Sequence, residues 1–278
     1  MTDRTIETGT EHLRAEVRDG VAILTMNRPE RRNALSGEML AGLRGALAEC
    51  ETARDVRCVV LTGAGGAFCA GGDVKGFAEG SASGGAYATG QSFDEIVHAQ
   101  RLDQRSTSGV LYHMPKPTIA VLGGPAAGAG LSLALACDLR VALEGTVLTT
   151  AFAKVGFSGD FGGTWFLTRL VGAGKAKELY YLSERLDVGE AAALGIVNKV
   201  YAADAFEDSW RALAAQLAGG PTIAYRYIKD NINRAVDGEL IECMDQEVTY
   251  HQHCGRTEDH LEASKAFVEK RVPTFHGR

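Results

Sequence analysis

Two stretches organise the chain: Val56-Arg-Cys-Val-Val-Leu-Thr-Gly-Ala-Gly-Gly-Ala-Phe-Cys-Ala-Gly-Gly-Asp-Val-Lys75 and Thr118-Ile-Ala-Val-Leu-Gly-Gly-Pro-Ala-Ala-Gly-Ala-Gly-Leu-Ser-Leu-Ala-Leu-Ala-Cys-Asp138. In each stretch an apolar run typical of a buried strand ends in a glycine-rich turn. Glycine allows a sharp turn and lets a ligand approach the main chain. A turn that opens a helix also directs free N–H groups and the positive end of the helix dipole at a bound anion. Two such turns facing each other predict a two-donor pocket for an oxyanion, and therefore chemistry on a carbonyl.

Length and composition limit the class of protein. The 278 residues are 45% hydrophobic and 23% charged, which is ordinary for a globular domain with or without a helical appendage. The net charge of −6 argues against a nucleic-acid binder. It does not exclude a local basic site for a phosphorylated ligand. The apolar runs are interrupted before the ~20 residues that a membrane span needs, and residues 1–7 carry no apolar signal region. We therefore expect no membrane partner and a cytoplasmic location.

The cysteines and histidines do not predict a metal site. The six cysteines form no Cys-x-x-Cys pair. His251 and His253 with Cys254 come nearest to a ligand set, but a metal site needs four convergent ligands. We interpret these three residues as part of a polar helix face, and we expect no metal.

The order of predicted elements indicates an α/β protein. The opening third alternates strand, helix and strand, and helical spacing dominates from residue 173 onward. Strand–helix units followed by helices predict an α/β core with a C-terminal helical region. The predicted strands are 21–26, 56–62, 118–122 and 139–143. The predicted helices are one capped by Ser36, then 92–113, 131–136, 173–182, 188–194, 203–217, 222–235, 240–253 and 257–270.

Residues 76–92 are rich in small residues and have no clear period. Such a segment is typical either of a mobile loop over a site or of a surface insertion without function, and the sequence does not separate the two. His98 and His113 belong to the helix that follows. We interpret both as structural or solvent-facing, with an approach of one of them to an acyl pocket as the alternative.

Three blocks of the chain resemble the crotonase superfamily, also called the enoyl-CoA hydratase/isomerase family. The first is Phe68-Cys-Ala-Gly-Gly-Asp-Val-Lys75 and the second is Ile119–Asp138. The third is Phe152-Ala-Lys-Val-Gly-Phe-Ser-Gly-Asp-Phe-Gly-Gly-Thr164, with Arg169-Leu-Val-Gly172 after it. One glycine turn alone would be weak evidence, but the three blocks occur in the family's order. The resemblance spans roughly residues 12–278.

The resemblance implies both a fold and a substrate class. The fold would be a crotonase-like spiral of β-β-α repeats over residues 1–205, with a C-terminal helical trimerisation region over 206–278. It implies a homotrimer or a dimer of trimers that acts on an acyl-CoA. Coenzyme A would enter as part of the thioester substrate, with no separate cofactor. By position, the two oxyanion N–H donors would belong to Gly72 and Ala129.

The resemblance also implies where coenzyme A binds. One group of residues would line the nucleotide end, a second would line the pantetheine, and a third, from the C-terminus and with Phe267 from a neighbouring subunit, would meet the adenine or 3′-phosphate. These residues are, in that order, Arg28, Asn33, Ala34 and Leu35; Ala70, Gly71, Asp73 and Val74; and Phe267 and Lys270. A cation beside a phosphate is physically sensible. Asp73 is expected to have a structural or coenzyme-binding role rather than an acid/base role.

The chain departs from the typical hydratase pattern at the catalytic carboxylates. Typical enoyl-CoA hydratases carry two glutamates, and this chain has Ser132 and Phe152 in their places. Neither replacement does acid/base chemistry near neutral pH. Asp160 is the remaining acid in the region, where some family members that isomerise acyl-CoA thioesters carry an aspartate. The sequence therefore favours an isomerase with Asp160 as proton shuttle, and a pocket-shaping role for Ser132, with a bond from Ser132 to substrate or water as the alternative.

Other functions remain as alternatives. Asp160 could act with a water held by Ser132 in a hydratase, or serve as the nucleophile of an acyl-CoA hydrolase or dehalogenase. Asp160 could also be only a turn residue that caps the next helix. A serine hydrolase is disfavoured because Ser132 lies in no Gly-x-Ser-x-Gly elbow. A non-catalytic coenzyme A-binding protein is disfavoured by the presence of Asp160.

Overall fold

The computed structural model describes residues 3–73, 90 and 92–278. In this part of the chain, short strands alternate with helices up to residue 201, and helices follow. The strands are β1 (Arg4–Thr5), β2 (Leu13–Arg18), β3 (Val21–Met26), β4 (Cys58–Gly63), β5 (Thr118–Leu122), β6 (Ala126–Ala127), β7 (Leu139–Leu143), β8 (Val147–Thr149), β9 (Leu186–Asp187) and β10 (Lys199–Tyr201).

The α-helices in the described residues are α1 (Gly37–Thr52), α2 (Phe93–Gln104), α3 (Val110–His113), α4 (Ala129–Ala136), α5 (Gly163–Leu182), α6 (Val188–Ala193), α7 (Phe206–Ala218), α8 (Thr222–Ala235), α9 (Leu240–Cys254) and α10 (Glu258–Glu269). The short helix α3 continues α2 through a π turn over Arg105–Gly109.

The main sheet is mixed and has the strand order β1-β2-β3-β4-β5-β7-β10. β1, β2 and β3 pair antiparallel, and the pairs from β3 to β10 are parallel. A second sheet has the order β6-β8-β9. In the main sheet Val60 pairs with Ile23 on one side and with Ile119 on the other. Because β4 and β5 are parallel neighbours, the glycine turns that follow them leave the sheet at the same edge.

The main sheet is buried on both faces, as expected for parallel strands. Alternate residues of each strand point to opposite faces, so one strand contributes to two cores. Val59 and Leu61 join the larger core with α1 and α4, whereas Val60 joins a smaller core beneath α7. The smaller core contains Trp210, Ala214 and Ala218 from α7. The helix α7 therefore packs directly on the sheet, and the boundary at residues 205 and 206 stays a prediction.

The fold agrees with the predicted α/β class and C-terminal helical region. The strands at 21–26, 118–122 and 139–143 lie where the sequence predicts them, and Ser36 caps α1 by accepting the N–H of Met39 at 3.1 Å. The helix predicted over 173–182 begins earlier, at Gly163. Gly172 interrupts it with φ 76° and ψ 161°, so the sequence pattern detected only the part that follows the break.

Candidate active site

The two glycine turns lie against each other beyond the ends of β4 and β5. Cys69 and Ala126 form an isolated parallel bridge, and the N–H of Ala127 donates to the carbonyl oxygen of Cys69 at 2.9 Å. Gly71, with φ 89°, sits at the closest approach. A Cβ atom at this position would lie 2.8 Å from the Ala127 oxygen and 3.3 Å from the Ala129 nitrogen. Only glycine therefore allows the two turns to meet.

Gly72 and Ala129 each present a main-chain N–H at this junction. Ala129 is the first residue of α4, so its N–H precedes the helical hydrogen bonds. Gly72 forms an isolated bridge with Leu35, in which the N–H of Leu35 donates to the carbonyl oxygen of Gly71 at 2.8 Å. Within the described residues, neither the Gly72 nor the Ala129 N–H donates to the protein itself. Both are available to an external acceptor.

Asp160 lies in a loop with unusual backbone angles between β8 and α5. Its neighbours Gly159, Phe161 and Gly162 have φ of 127°, 48° and 76°. Phe161 is a buried, non-glycine residue in the left-handed region, which costs free energy and is found most often at functional sites. The carbonyl oxygen of Asp160 accepts the N–H of Gly163 at 3.0 Å, which closes the loop onto α5.

The Asp160 side chain is half-buried, and one of its two carboxyl oxygens is fully buried. Its Oδ1 atom has no hydrogen-bond partner in the part of the chain that the structure describes. Burial raises the pKa of Asp160 to about 6, because the charged form is disfavoured away from water. The carboxylate lies close enough to the first glycine turn to contribute to the raised pKa of the Cys69 thiol, which burial dominates. A carboxyl with a raised pKa, close enough for its charge to act on the first glycine turn, is a candidate acid/base group.

Ser132 and Phe152 close the site beside Asp160. Ser132 is 1% exposed, and its hydroxyl donates to the carbonyl oxygen of Gly128 at 3.3 Å. Phe152 is also buried, and its ring stacks on Tyr180 with centroids 5.9 Å apart and an interplanar angle of 3°. Neither side chain supplies a second carboxylate to the site.

Tyr180 of α5 was not predicted as a site residue. Its hydroxyl lies beside Gly163 together with the Ser132 hydroxyl, and burial together with the Asp160 charge raises the Tyr180 pKa. Glycines at 159 and 163 make room for it: a Cβ atom on Gly163 would lie 2.7 Å from its hydroxyl oxygen. The sequence could have pointed to Tyr180 only as a tyrosine inside a predicted helix. Such a tyrosine is a candidate because its hydroxyl, when buried, usually finds a polar partner.

Comparisons with known proteins decide the family. The family model described as enoyl-CoA hydratase/isomerase matches residues 16–278. The chain belongs to the enoyl-CoA hydratase/isomerase family. It is 37% identical to the 1,2-epoxyphenylacetyl-CoA isomerase of Escherichia coli, over 96% of this chain and 99% of the relative. It is 32% identical to 4-chlorobenzoyl coenzyme A dehalogenase-1 of Arthrobacter sp., over 85% of this chain and 83% of the relative.

Solved structures support the same assignment. The structure of an enoyl-CoA hydratase from Polaromonas sp. JS666 matches with a TM-score of 0.86 and 33% identity, covering 95% of this chain and 99% of that one. The crotonase-like fold predicted from the sequence is therefore confirmed. The names of these three relatives describe an isomerase, a dehalogenase and a hydratase, so membership of the enoyl-CoA hydratase/isomerase family does not select one reaction.

The predicted coenzyme A residues of this family member fall into two groups. Arg28, Asn33, Ala34 and Leu35 form a buried loop beside the first turn, where the N–H of Ala70 donates to the Arg32 oxygen at 3.0 Å. Phe267 and Lys270 lie at the exposed end of α10. In the described part of the chain, neither of these two makes a hydrogen bond or ion pair with the glycine turns. Val74, and most of the loop predicted over 76–92, lie outside the described residues.

Inside the first group, polar side chains hold the loop itself. The Arg28 guanidinium pairs with Asp73, with Nη2 and Oδ2 3.2 Å apart, and donates to the Ala34 oxygen at 2.7 Å. The Asn33 amide donates to the main-chain oxygens of residues 64 and 67, at 2.8 Å each. The pairing of Asp73 with Arg28 agrees with a structural role for Asp73. Asn33 is 0% exposed as a whole residue, so it supports the loop and presents no surface to a ligand in this structure.

The other sequence candidates lie away from this site. His98 and His113 are exposed on α2 and α3, and His113 packs edge-on against Tyr112 with ring centroids 4.9 Å apart. His251 and His253 are exposed on α9. Within residues 3–73, 90 and 92–278 no group of three or more His, Cys, Asp or Glu side chains could hold a metal ion. In the same ranges, no helix combines the length and the apolar character that a membrane span requires.

Proposed function

We propose that this protein isomerises the double bond of an enoyl-CoA. The thioester carbonyl accepts hydrogen bonds from the N–H groups of Gly72 and Ala129. Asp160 removes a proton from C2 of a 3-enoyl-CoA, and the electron pair is delocalised into a dienolate whose negative charge rests on the thioester oxygen. The protonated Asp160 then returns the proton to C4, which gives the conjugated 2-enoyl-CoA. No other reactant is consumed.

One observation carries this proposal: within the described residues Asp160 has a buried carboxyl oxygen without a hydrogen-bond partner, and its charge acts on Cys69 in the first glycine turn. A pKa of about 6 suits a base that must both take and return a proton near neutral pH. One carboxylate is enough for this shuttle, whereas the addition of water by family hydratases employs two. Ser132 and Phe152 occupy the two glutamate positions and supply neither.

The two N–H donors account for a large part of the expected rate enhancement. Removal of one oxyanion donor in other enzymes raises the barrier by about 3 kcal/mol. The donors belong to the main chain and are held by the packing of Gly71 against the second turn, so they need no reorganisation when charge develops. Their placement supports a thioester oxygen as ligand.

We infer how the coenzyme A portion of the substrate binds from the placement of the loops. The loop over residues 28–35 and the first turn would bind the nucleotide and the pantetheine. Phe267 and Lys270 would reach coenzyme A from a neighbouring copy in a trimer, because both are exposed and, in the described residues, neither bonds to the turns of its own chain. A trimer or a dimer of trimers therefore remains part of the proposal, with an acyl-CoA as the small-molecule partner.

A second candidate uses the same carboxylate as a nucleophile. The 32% identity to a protein named as a 4-chlorobenzoyl coenzyme A dehalogenase favours this candidate. Asp160 would then displace chloride from the ring and form an aryl ester, which water hydrolyses to the hydroxylated product and the free carboxylate. In an acyl-CoA hydrolase it would displace the coenzyme A thiol and form a mixed anhydride, which water hydrolyses to the free acid. The hydratase alternative receives less support, because the Ser132 hydroxyl that would hold the water is buried and already hydrogen-bonded.

The direct test is Asp160→Asn assayed with 3-hexenoyl-CoA, following the increase in conjugated thioester absorbance. We expect a loss of turnover of at least about a hundredfold, since the amide cannot carry the proton. Asp204→Asn is the matched control, because Asp204 is exposed in the turn before α7 and the charge change is the same. We expect it to behave as the wild type.

Two further measurements separate the alternatives. Crotonyl-CoA, which already has a conjugated double bond, should not be consumed by the wild type or by Ser132→Glu, because Phe152 still fills the second glutamate position. Single turnover with 4-chlorobenzoyl-CoA, followed by protein mass spectrometry, should give no aryl adduct on Asp160. Hydration of crotonyl-CoA, such an adduct, or wild-type turnover by Asp160→Asn would each contradict the isomerase assignment.

A further inference from the structure

The peptide unit between Gly128 and Ala129 is held from its carbonyl side. The carbonyl oxygen of Gly128 accepts the N–H of Ser132 at 3.0 Å and the Ser132 hydroxyl at 3.3 Å. The first of these is an ordinary helical bond, but the second comes from a side chain that is 1% exposed. Ser132 thus holds the oxygen of the same peptide unit whose nitrogen is the proposed oxyanion donor.

A trans peptide is planar, so its C=O and N–H point in opposite directions. Fixing the Gly128 oxygen therefore fixes the direction of the Ala129 N–H. A hydrogen bond to a peptide oxygen also polarises the amide and strengthens the bond that its N–H donates. Ser132 is consequently placed to aim and to strengthen one of the two donors without touching the substrate.

Tyr180 extends this arrangement by one group. A Cβ atom built on Gly163 would lie 2.2 Å from the Ser132 Oγ atom and 2.7 Å from the Tyr180 hydroxyl oxygen, so the two hydroxyl groups converge beside that glycine. The Ser132 hydroxyl is also close enough to act on the pKa of Tyr180, which burial and the Asp160 charge raise. Because the single Ser132 hydroxyl proton goes to the Gly128 oxygen, a hydrogen bond between the two hydroxyls would take its proton from Tyr180.

The Tyr180 ring is held in this position from two sides. It stacks in parallel on the buried ring of Phe152, and a Cβ atom on Gly159 would lie 3.3 Å from its Cε1 atom. Phe152 and Gly159 both belong to the segment that leads to Asp160, and Gly159 directly precedes it in the chain. The Tyr180 ring therefore has little freedom to move away from Ser132.

We propose that Tyr180 and Ser132 form a hydrogen-bond relay that positions and polarises the Ala129 N–H. The relay runs from the Tyr180 hydroxyl to Ser132, from Ser132 to the Gly128 oxygen, and from the Ala129 N–H to the thioester oxygen. This proposal rests on the oxyanion role given to Ala129 under the proposed function. Tyr180 and Ser132 are positioning residues, and Asp160 carries the proton.

The test compares Tyr180→Phe, Ser132→Ala and the double variant by turnover and by spectroscopy. Turnover of 3-hexenoyl-CoA is the first readout. The second is the absorbance of bound cinnamoyl-CoA, a conjugated thioester whose C4 is an aromatic carbon without a hydrogen, so it cannot be isomerised. Polarisation of its carbonyl by the oxyanion donors shifts its absorbance to longer wavelength.

We expect each single variant to lower kcat by about tenfold while KM changes less than twofold, since the relay acts in the transition state. The red shift of cinnamoyl-CoA should shrink in both. The double variant should resemble Ser132→Ala alone, because Tyr180 acts only through Ser132. Tyr181→Phe is the matched control: the neighbouring Tyr181 is 72% exposed and should leave kcat and the red shift unchanged.

The outcomes separate this inference from the proposed function. A wild-type red shift and wild-type turnover that persist in Tyr180→Phe would overturn the relay and leave the isomerase intact. Additive effects in the double variant would also overturn it, since two independent roles would then be needed. A wild type that isomerises 3-hexenoyl-CoA without shifting cinnamoyl-CoA would remove the oxyanion role of Ala129, and the relay with it. Thermal unfolding of each variant shows whether a lower kcat reflects a lost fold.

Discussion

Asp160 combines two features that cost stability. Its Oδ1 atom is buried with no partner among the residues that the structure describes, and it sits between Gly159 and Phe161, which both have positive φ. An unpaired buried polar atom and a left-handed non-glycine residue each cost free energy of about 1–3 kcal/mol. Such costs are typical of functional sites, where the surrounding structure holds a reactive group in a fixed place. Burial here also tunes the chemistry, because it moves the pKa of the carboxyl toward neutrality.

The pH dependence of turnover should report the Asp160 pKa. The base form is the carboxylate, so kcat/KM for 3-hexenoyl-CoA should be constant above the pKa of about 6 and fall tenfold per pH unit below it. The measurement is a pH profile of kcat/KM, with an equilibrium assay that verifies folding at each pH. A carboxyl with its ordinary pKa of about 4 would keep full activity down to pH ~5, and that result would contradict the environment described for Asp160.

At the scale of single residues, the sequence predicted some of the site and missed the rest for a definite reason. Gly72, Ala129 and Asp160 follow from motifs that are continuous in sequence, and the structure brings the turns that hold Gly72 and Ala129 into contact. Tyr180 lies 20 positions after Asp160 and meets Ser132 only because α5 packs on α4. Such a contact depends on helix packing, which a single sequence does not specify.

At the scale of elements, the site depends on the contact between two turns. β4 and β5 deliver the turns to the same edge, and the absence of a side chain at Gly71 lets them touch. At this scale the strands were easy to predict, and the helix α5 was not. Buried parallel strands are continuous apolar runs, whereas Gly172 interrupts the helical pattern of α5 and hides its first half.

Gly71→Ala should separate the two turns. The new methyl group would lie 2.8 Å from the Ala127 oxygen and 3.3 Å from the Ala129 nitrogen, so the donors must move apart. We expect a loss of kcat of about a hundredfold or more, since a misplacement of about 1 Å is enough for that. The measurement is turnover of 3-hexenoyl-CoA together with the red shift of bound cinnamoyl-CoA.

The control for this change is Gly66→Ala in the same turn. Gly66 also has a positive φ, 78°, but a Cβ atom there meets no atom within 4 Å. Both variants therefore suffer the same kind of backbone strain, and only Gly71→Ala creates a clash between the turns. Equal losses of activity in the two variants would show that strain alone is responsible, which would contradict the role given to the turn contact.

At the scale of the whole molecule, Arg57 joins the sheet to the C-terminal helices. It lies just before β4 and is 7% exposed. Its guanidinium donates to the Gly220 oxygen at 2.5 Å, to the Thr222 hydroxyl at 3.0 Å and to the Phe275 oxygen at 2.9 Å. Asp259 then accepts the main-chain N–H of His276 at 2.7 Å. Arg57 thus ties the last residues of the chain to the start of β4, and Asp259 ties them to α10.

The sequence offered no sign of this junction. Arg57 stands inside an apolar strand-like run, and its three acceptors come from positions more than 160 residues away. Long-range polar contacts of this kind are set by how the helical region docks, not by local pattern. The overall class was predictable because hydrophobic periodicity is local, whereas the attachment of the C-terminal residues was not.

Arg57→Met should weaken the attachment of the C-terminal residues to the sheet. Methionine fills similar space but leaves three acceptors without their donor, so we expect a loss of about 3 kcal/mol in the free energy of unfolding. The measurements are urea unfolding and limited proteolysis, in which cleavage after residue 270 should precede cleavage of the core. Arg54→Met is the matched control, because Arg54 is exposed on the same segment. If both variants unfold at the same urea concentration as the wild type, the guanidinium contacts do not hold the C-terminus.

If Phe267 and Lys270 reach coenzyme A, Arg57→Met should also raise KM for the acyl-CoA. The value of kcat should change little, since the substitution loosens α10 and leaves the surroundings of Asp160 in place.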